Sequence, residues 1–162
     1  MRRRATRFAH LVVASHLLAF VAPGWAAEDA ASRQRGQAYF LGEAVLAGRL
    51  SGHAMDLPSV ASRCVNCHRD SADARAASAR AAGNTGLDPS ADAGAPPLGR
   101  AWLTQWRSRR FAPASRYDAA SLCTLLRSGV DPAMVVIPAT MPRYQASDAQ
   151  CADLWNFLMS MP

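Results

Sequence analysis

The sequence contains no lysine, so all 18 of its basic residues are arginines. Four of these precede an apolar segment at the start of the chain: Arg2, Arg3, Arg4 and Arg7. Beyond that segment 14 arginines stand against 12 acidic residues, and the net charge falls from +6 to 14 − 12 = +2. Nucleic-acid-binding proteins carry a much larger basic excess, so the composition argues against nucleic acid as a partner.

The apolar segment is too short to span a membrane. It covers about residues 8–22, fewer than the roughly 18 apolar residues of a spanning helix, and His10 and His16 interrupt it. The arginine-rich head, the apolar run and the small residues Gly24 and Ala26 together match a secretory signal peptide. We therefore predict that residues 1–26 are a signal peptide, with an uncleaved N-terminal anchor as the alternative.

The mature chain, residues 27–162, has a length of 162 − 26 = 136 residues, which favours one domain. It lacks runs of alternating apolar and polar residues and internal repeats, whereas several segments have helical spacing. The first predicted helix covers about residues 32–46. The next begins at Pro58 and runs through Arg69, and a third contains Leu98, Trp102, Leu103 and Trp106.

Capping residues predict two more helices. Asp118 is placed to begin one and Gly129 to end it, while Ser147 and Gln150 form a capping box at the start of the last. Residues 70–95 are rich in alanine, serine, glycine and proline and predict a mobile surface loop. Three prolines predict another loop between residues 130 and 146. The expected fold class is all-α with long loops.

Only four cysteines occur, and two of them lie in the stretch RCVNCHR beside a histidine. A structural zinc site requires a second close pair, but Cys123 and Cys151 lie far apart in the sequence. A redox-active thiol pair is typical of a strand-and-helix setting that this segment lacks. Covalent attachment of haem gives Cys64, Cys67 and His68 each a role, so we predict one haem c at this motif.

The spacing of the motif suits this chemistry. Cysteines three residues apart project from one side of a helical turn, where both sulfurs can reach the vinyl groups on one edge of a porphyrin. Cys64 and Cys67 are therefore the predicted thioether residues, and His68 is the predicted axial ligand of the iron. Its other ring nitrogen needs a hydrogen-bond acceptor, which we expect from a carbonyl of the Pro96-Pro97-Leu98 segment.

A sixth iron ligand has several candidates. His53 is the only other histidine of the mature chain and lies in a polar loop. Met141 precedes a proline in a proline-rich loop, which can hold a thioether at low entropic cost, and we favour it. A core-filling role for Met141 is the alternative. The other methionines lack such a setting: Met55, Met134, Met159 and Met161.

Cys123 and Cys151 flank the segment that contains Met141. In an oxidising compartment, two cysteines left over after haem attachment predict a disulfide. It would close about 29 residues, which the chain-entropy treatment makes worth roughly 3 to 4 kcal/mol. A pair of buried free thiols is the alternative.

With these residues in view, the mature chain resembles the class I c-type cytochromes over nearly its whole length. The resemblance rests on Cys64-Val-Asn-Cys67-His68, on Met141-Pro142 and on weaker matches at Gly36, Tyr39, Phe40, Pro97, Leu98 and residues 154–158. It implies a helical fold around one covalent haem, in which the first and last helices pack across each other and His68 and Met141 bind the iron. The long connection over residues 70–95 departs from the compact members of the family.

The expected role is periplasmic electron transfer with a redox partner protein, as a free carrier or as a subunit of an oxidoreductase, rather than as an enzyme itself. Trp102 and Trp106 are candidate haem-wall residues, and Arg107, Arg109 and Arg110 are a candidate docking patch. The alternative is a catalytic or gas-binding haem protein, peroxidase-like or a sensor, with an open distal site.

Overall fold

A computed structural model of the chain describes residues 24–68, 95–108 and 112–162. Helix α1 (Gly24–Leu41) comes first and is followed by a short strand, β1 (Gly48–Arg49). A single 3-10 turn, Cys64–Asn66, precedes helices α2 (Arg100–Thr104) and α3 (Ala119–Ser128). Strand β2 (Arg143–Tyr144) and helix α4 (Asp148–Leu158) complete the order. No helix in these described ranges is long and apolar enough to cross a membrane.

Helices α1 and α4 form the main helix pair. Gly36 allows their close approach, because a Cβ atom at this position would collide with the carbonyl group of Asp153 and with Phe157. Phe40 and Phe157 also meet, with ring centroids 5.4 Å apart. The packing of the first helix on the last, which the family resemblance implied, is therefore present.

A polar cluster fastens the same two helices. The Asp153 carboxylate is buried and accepts hydrogen bonds from Ser32 at 2.7 Å and from Arg35 at 2.9 and 3.0 Å. Burial by itself would raise the pKa of Asp153, but the bonds from Arg35 and Ser32 hold it below its ordinary value. Hydrogen bonding therefore offsets the cost of burying this charge.

The caps of α3 and α4 are confirmed. Asp118 accepts from the Ser121 backbone N–H at 2.7 Å, and Gly129 ends α3 in the left-handed conformation at φ 74°. The backbone N–H of Ser147 donates to Gln150, whose own N–H donates to the Ser147 hydroxyl. α3 buries three leucines in the core: Leu122, Leu125 and Leu126.

The first two predicted helices were placed wrongly. The first begins earlier than residue 32, in an alanine-rich segment of high helix propensity, and ends at Leu41 because Gly42 adopts φ 76°. The helix expected from Pro58 is absent from the described residues 58–66, where a turn, with the Ala61 N–H donating to the Pro58 carbonyl at 2.8 Å, precedes the 3-10 turn. Side chains there bond to nearby carbonyls instead: Ser62 to Ser59, and Asn66 to Val60 at 2.8 Å. Arg69, its expected last residue, lies outside the described residues.

Beside the helices, the structure contains one short ladder that the sequence did not predict. Strands β1 and β2 pair antiparallel, with Gly48 opposite Tyr144 and Arg49 opposite Arg143. Two-residue strands leave too few positions for alternation to be visible in the sequence. The second strand lies inside the segment predicted to be loop, so this ladder joins the loop to the region before the cysteine motif.

One hydrophobic core includes buried residues from all four helices, and Leu103 of α2 is its most buried member at 1% exposure. The third helix is shorter than its apolar spacing suggested, since only Arg100–Thr104 is helical. Most of the predicted signal peptide, residues 1–23, and nearly all of the predicted loop, residues 70–94, lie outside the described residues. The predicted signal-peptide boundary after Ala26 falls in the first turn of α1.

Candidate functional site

The cysteine motif forms a compact turn. The backbone N–H groups of Cys67 and His68 both donate to the Cys64 carbonyl, at 3.2 and 2.9 Å. Both cysteines are free thiols, with Cys64 half-buried against the hydrophobic core and Cys67 exposed. The turn thus carries two thiols and an imidazole within five consecutive residues.

His68 is buried, and its ring is oriented by Pro96, which directly follows the loop predicted at residues 70–95. Its Nδ1 lies 2.8 Å from the carbonyl oxygen of Pro96, so the expected acceptor in the 96–98 segment is confirmed. A carbonyl only accepts, so this contact requires the proton on Nδ1 and leaves Nε2 as the basic nitrogen. Burial lowers the pKa of His68, while the bond to Pro96 raises it, and the net direction is down. The neutral, Nε2-basic form is the one that binds a metal.

The Cys64 thiol lies in a desolvated setting. Burial raises the pKa of this thiol to about 11, against which contact with the Tyr144 hydroxyl has a smaller lowering effect. A redox-active cysteine reacts as its thiolate, which a raised pKa disfavours. Cys64 is therefore poorly suited to the redox alternative considered for this motif.

Met141 lies in the segment between α3 and α4 and packs partly buried against the same core as Cys64. Its N–H donates to the Pro138 carbonyl at 3.2 Å, which places it in a turn of the proline-rich loop. Two competing methionines, Met55 and Met134, are 82% exposed. Met159 and Met161 also touch the core, but at the end of α4. Partial burial of Met141 against the core suits both the ligand role and the core-filling alternative.

His53, the alternative ligand, is exposed in a turn, where its backbone N–H donates to the Leu50 carbonyl at 3.0 Å. Its environment is that of a solvated loop residue. The structure thus offers no support for a second histidine beside His68.

The aromatic residues of the 98–106 segment differ in environment. Trp102 packs against the core, with the Arg107 guanidinium 4.0 Å above its ring. Trp106 is 67% exposed and lies 5.5 Å from the Arg116 guanidinium. Of the two candidate wall residues, only Trp102 contributes to the core. Arg109 and Arg110 of the candidate docking patch lie outside the described residues.

Cys123 and Cys151 are at disulfide-bonding distance in the structure, with Cα atoms 5.3 Å apart. The bond joins the middle of α3 to the first turn of α4, and it closes the segment containing Met141. A disulfide at this position would tie the two ends of that segment together.

Two residues beside Met141 have contacts that the sequence interpretation did not predict. Tyr144 donates to the buried Ser62 carbonyl at 2.8 Å, just before the cysteine motif. Arg143 donates to the carbonyls of Met141 at 2.6 Å and Ile137 at 3.0 Å. Their only sequence signal is adjacency to Met141-Pro142, which does not indicate the atoms they bind.

The side chains present are of the types that one covalently bound haem would need. They supply two thiols on one turn, an imidazole whose Nδ1 is already bonded, and a thioether against the same core. A haem iron needs only two axial protein ligands, so it does not require a cluster of metal-binding side chains. Within residues 24–68, 95–108 and 112–162, no three His, Cys, Asp or Glu side chains form such a cluster.

A surface cavity of about 230 Å³ lies elsewhere, beside α1 and the end of α4. Its lining contains none of the motif residues and consists of Asp29, Arg33, Arg100, Asn156, Met159 and Ser160. Comparison of the chain with protein-family models, with curated proteins and with solved structures gave no match.

Proposed function

We propose that this chain is an exported single-haem c-type cytochrome that transfers electrons in the periplasm. The observation that carries the proposal is the pairing of His68 with Pro96 directly after the two free thiols of Cys64 and Cys67. A buried imidazole with Nδ1 bonded and Nε2 basic has the form required of an axial ligand. Because His68 directly follows the two cysteines, one bound haem would give all three side chains a function.

In this proposal Cys64 and Cys67 hold haem c through thioether bonds, and His68 and Met141 are the axial ligands. Bound haem supplies an iron that cycles between the ferric and ferrous states. The protein's part is to keep both ligands in place and to exclude water with the core that Cys64, Trp102 and Met141 border. Histidine with methionine as ligands favours the reduced state, which suits an electron carrier.

The partner in this proposal is another redox protein, which the chain serves as a free carrier or as an electron-transfer subunit. The exposed Trp106 and the nearby Arg116 offer a surface for an acidic partner near the core-packed Trp102. The proposed leader, residues 1–26, accounts for delivery of the chain to a compartment where the Cys123–Cys151 disulfide is stable.

Haem attachment is tested first. The full chain is expressed in a strain that matures c-type cytochromes and examined for haem staining that survives denaturing gel electrophoresis. We expect staining of the wild type and of the Cys123→Ala/Cys151→Ala variant, and none of Cys64→Ala/Cys67→Ala. Equal staining after loss of Cys64 and Cys67 would place attachment elsewhere and refute the proposal.

The ligands are tested next by the ferric absorption spectrum. We expect a low-spin spectrum with the weak long-wavelength band of a sulfur ligand, lost in Met141→Ala and retained in Met134→Ala. Met134 is the matched control because it lies in the same loop but is 82% exposed. A high-spin wild type without the band would instead favour the catalytic or gas-binding alternative, which peroxide and carbon monoxide binding would then test.

A further inference from the structure

The Arg143 side chain bridges the loop that carries Met141. Its Nη1 donates to the Met141 carbonyl at 2.6 Å and its Nη2 donates to the Ile137 carbonyl at 3.0 Å. The two acceptors lie four residues apart, at the two ends of the turn in which the Met141 N–H donates to the Pro138 carbonyl. One guanidinium thus fixes the separation of the beginning and the end of this short turn.

The end of α3 provides the space for this guanidinium. A Cβ atom on Gly129 would collide with Nε, Cζ and Nη2 of Arg143. Gly129 also has φ 74° and accepts from the Ile137 N–H at 2.8 Å, so it contacts the loop from the other side. The guanidinium is therefore held between a helix terminus and the loop carbonyls.

Arginine has a particular advantage here. Its planar guanidinium presents donors in a fixed fork, so two separate carbonyls can be held at once with little loss of rotamer entropy. A lysine ammonium could keep the charge but would not bond both carbonyls in this geometry. Partial burial lowers the pKa of Arg143 from its ordinary value, but an arginine in this setting remains charged.

We propose that Arg143 is the positioning residue that holds Met141 in its iron-binding conformation, by bonding the carbonyls of Ile137 and Met141 against Gly129. This inference rests on the proposed function. It extends the proposed function by stating that one side chain, which does not itself bind the iron, keeps the Met141 loop ordered. A loop without this clamp opens more often and leaves the sixth position free for an external ligand.

The test is titration of the matured ferric protein with imidazole, which competes with the methionine. Four proteins are compared: wild type, Arg143→Gln, Arg143→Lys and Arg49→Gln. Arg49 is the matched control because it lies opposite Arg143 in the strand pair but bonds the exposed Asp56 carboxylate. We expect imidazole to bind Arg143→Gln about tenfold more tightly than wild type, since charge-assisted hydrogen bonds are lost. Arg49→Gln should stay within about twofold.

The imidazole affinities of the variants distinguish a clamp on two carbonyls from a role of the Arg143 charge alone. Arg143→Lys should bind imidazole more tightly than wild type, and wild-type affinity would overturn the two-carbonyl clamp in favour of charge alone. Equal affinity in Arg143→Gln and Arg49→Gln, with helical circular dichroism intact, would also overturn it. If Arg143→Gln fails to mature, Arg143→Lys carries the test.

The global unfolding transition separates positioning from general stability. A merely structural residue would lower the unfolding midpoint without changing imidazole affinity in the folded protein, and this result would overturn the proposal. A wild type with attached haem but no sulfur band would refute methionine ligation and the role of Arg143 together, whereas absence of attached haem would refute the proposed function at its first step.

Discussion

The Tyr144 hydroxyl donates a 2.8 Å hydrogen bond to the carbonyl of Ser62, which lies 82 positions earlier in the chain. Ser62 is two residues before Cys64, and Tyr144 is three residues after Met141. The ring packs closely on Gly48, where a Cβ atom would lie 2.9 Å from Tyr144 Cδ1. One buried phenol therefore joins the cysteine turn to the segment that carries the predicted methionine ligand.

Tyr144→Phe should remove the hydrogen bond that connects these two segments. The variant leaves the Ser62 carbonyl without its donor in a buried setting, so we expect the free energy of unfolding to fall by about 1 to 3 kcal/mol. Denaturant titration followed by helical circular dichroism measures the change. Tyr39→Phe is the control, since Tyr39 is a half-buried tyrosine at the edge of the same core. A loss no greater than that of the control would contradict the role assigned to the hydroxyl.

Asp153→Asn should destabilise the contact between α1 and α4. The asparagine keeps the size of the side chain but loses the charge that accepts from Ser32 and Arg35, and we expect a loss of about 1 to 3 kcal/mol at neutral pH. Glu28→Gln serves as the control, because Glu28 shares Arg35 but its side chain is 72% exposed. Chemical denaturation of both variants beside the wild type gives the comparison.

The ion pair of Asp153 with Arg35 gives the free energy of unfolding a pH dependence of known sign. The pKa of Asp153 is lower in the folded protein than in the unfolded chain, so its stabilising contribution is present above the unfolded value and is lost as pH falls through the folded value. The stability difference between wild type and Asp153→Asn should therefore shrink below about pH 4. A difference that stays constant through the acid range would show that the Asp153 charge contributes nothing.

Loss of the Cys123–Cys151 bond should loosen the segment between them. The bond spans 28 positions, and Cys123→Ala/Cys151→Ala should lower the free energy of unfolding by roughly 3 to 4 kcal/mol through greater entropy of the unfolded chain. Reductant should destabilise the wild type and leave this variant unchanged. Mass measurement of thiol-blocked protein, with and without reduction, checks the bond directly, and two blocked thiols at these positions before reduction would refute it.

Gly36→Ala and Gly52→Ala should both destabilise the protein, but for different reasons. Alanine at Gly36 collides with the Asp153 carbonyl, and we expect overpacking of about 1 to 3 kcal/mol to exceed the helix-propensity gain of about 1 kcal/mol. Alanine at Gly52 meets no atom within 4 Å, but φ 82° costs about 1 kcal/mol. Thermal unfolding measures both losses, and a Gly36→Ala variant more stable than wild type would contradict the close helix contact.

Local rules predicted the parts of the fold that local residues control. Asp118, Gly129, Ser147 and Gln150 lie at the ends of α3 and α4 because caps satisfy backbone groups within a few residues. The start of α1 was predicted wrongly because its first turns have high helix propensity without an apolar stripe. The helix from Pro58 was wrong because serine and asparagine side chains compete for its carbonyls.

The site divides in the same way. The sequence alone determined which chemistry is available, since the identities and spacing of Cys64, Cys67 and His68 do not depend on the rest of the chain. It also pointed to an acceptor carbonyl in the 96–98 segment, which the structure places at Pro96. Tertiary structure alone decided that Tyr144 bonds Ser62 and that Arg143 bonds Ile137 and Met141. Such contacts depend on how distant segments pack, and no residue pattern records which carbonyl a long side chain will reach.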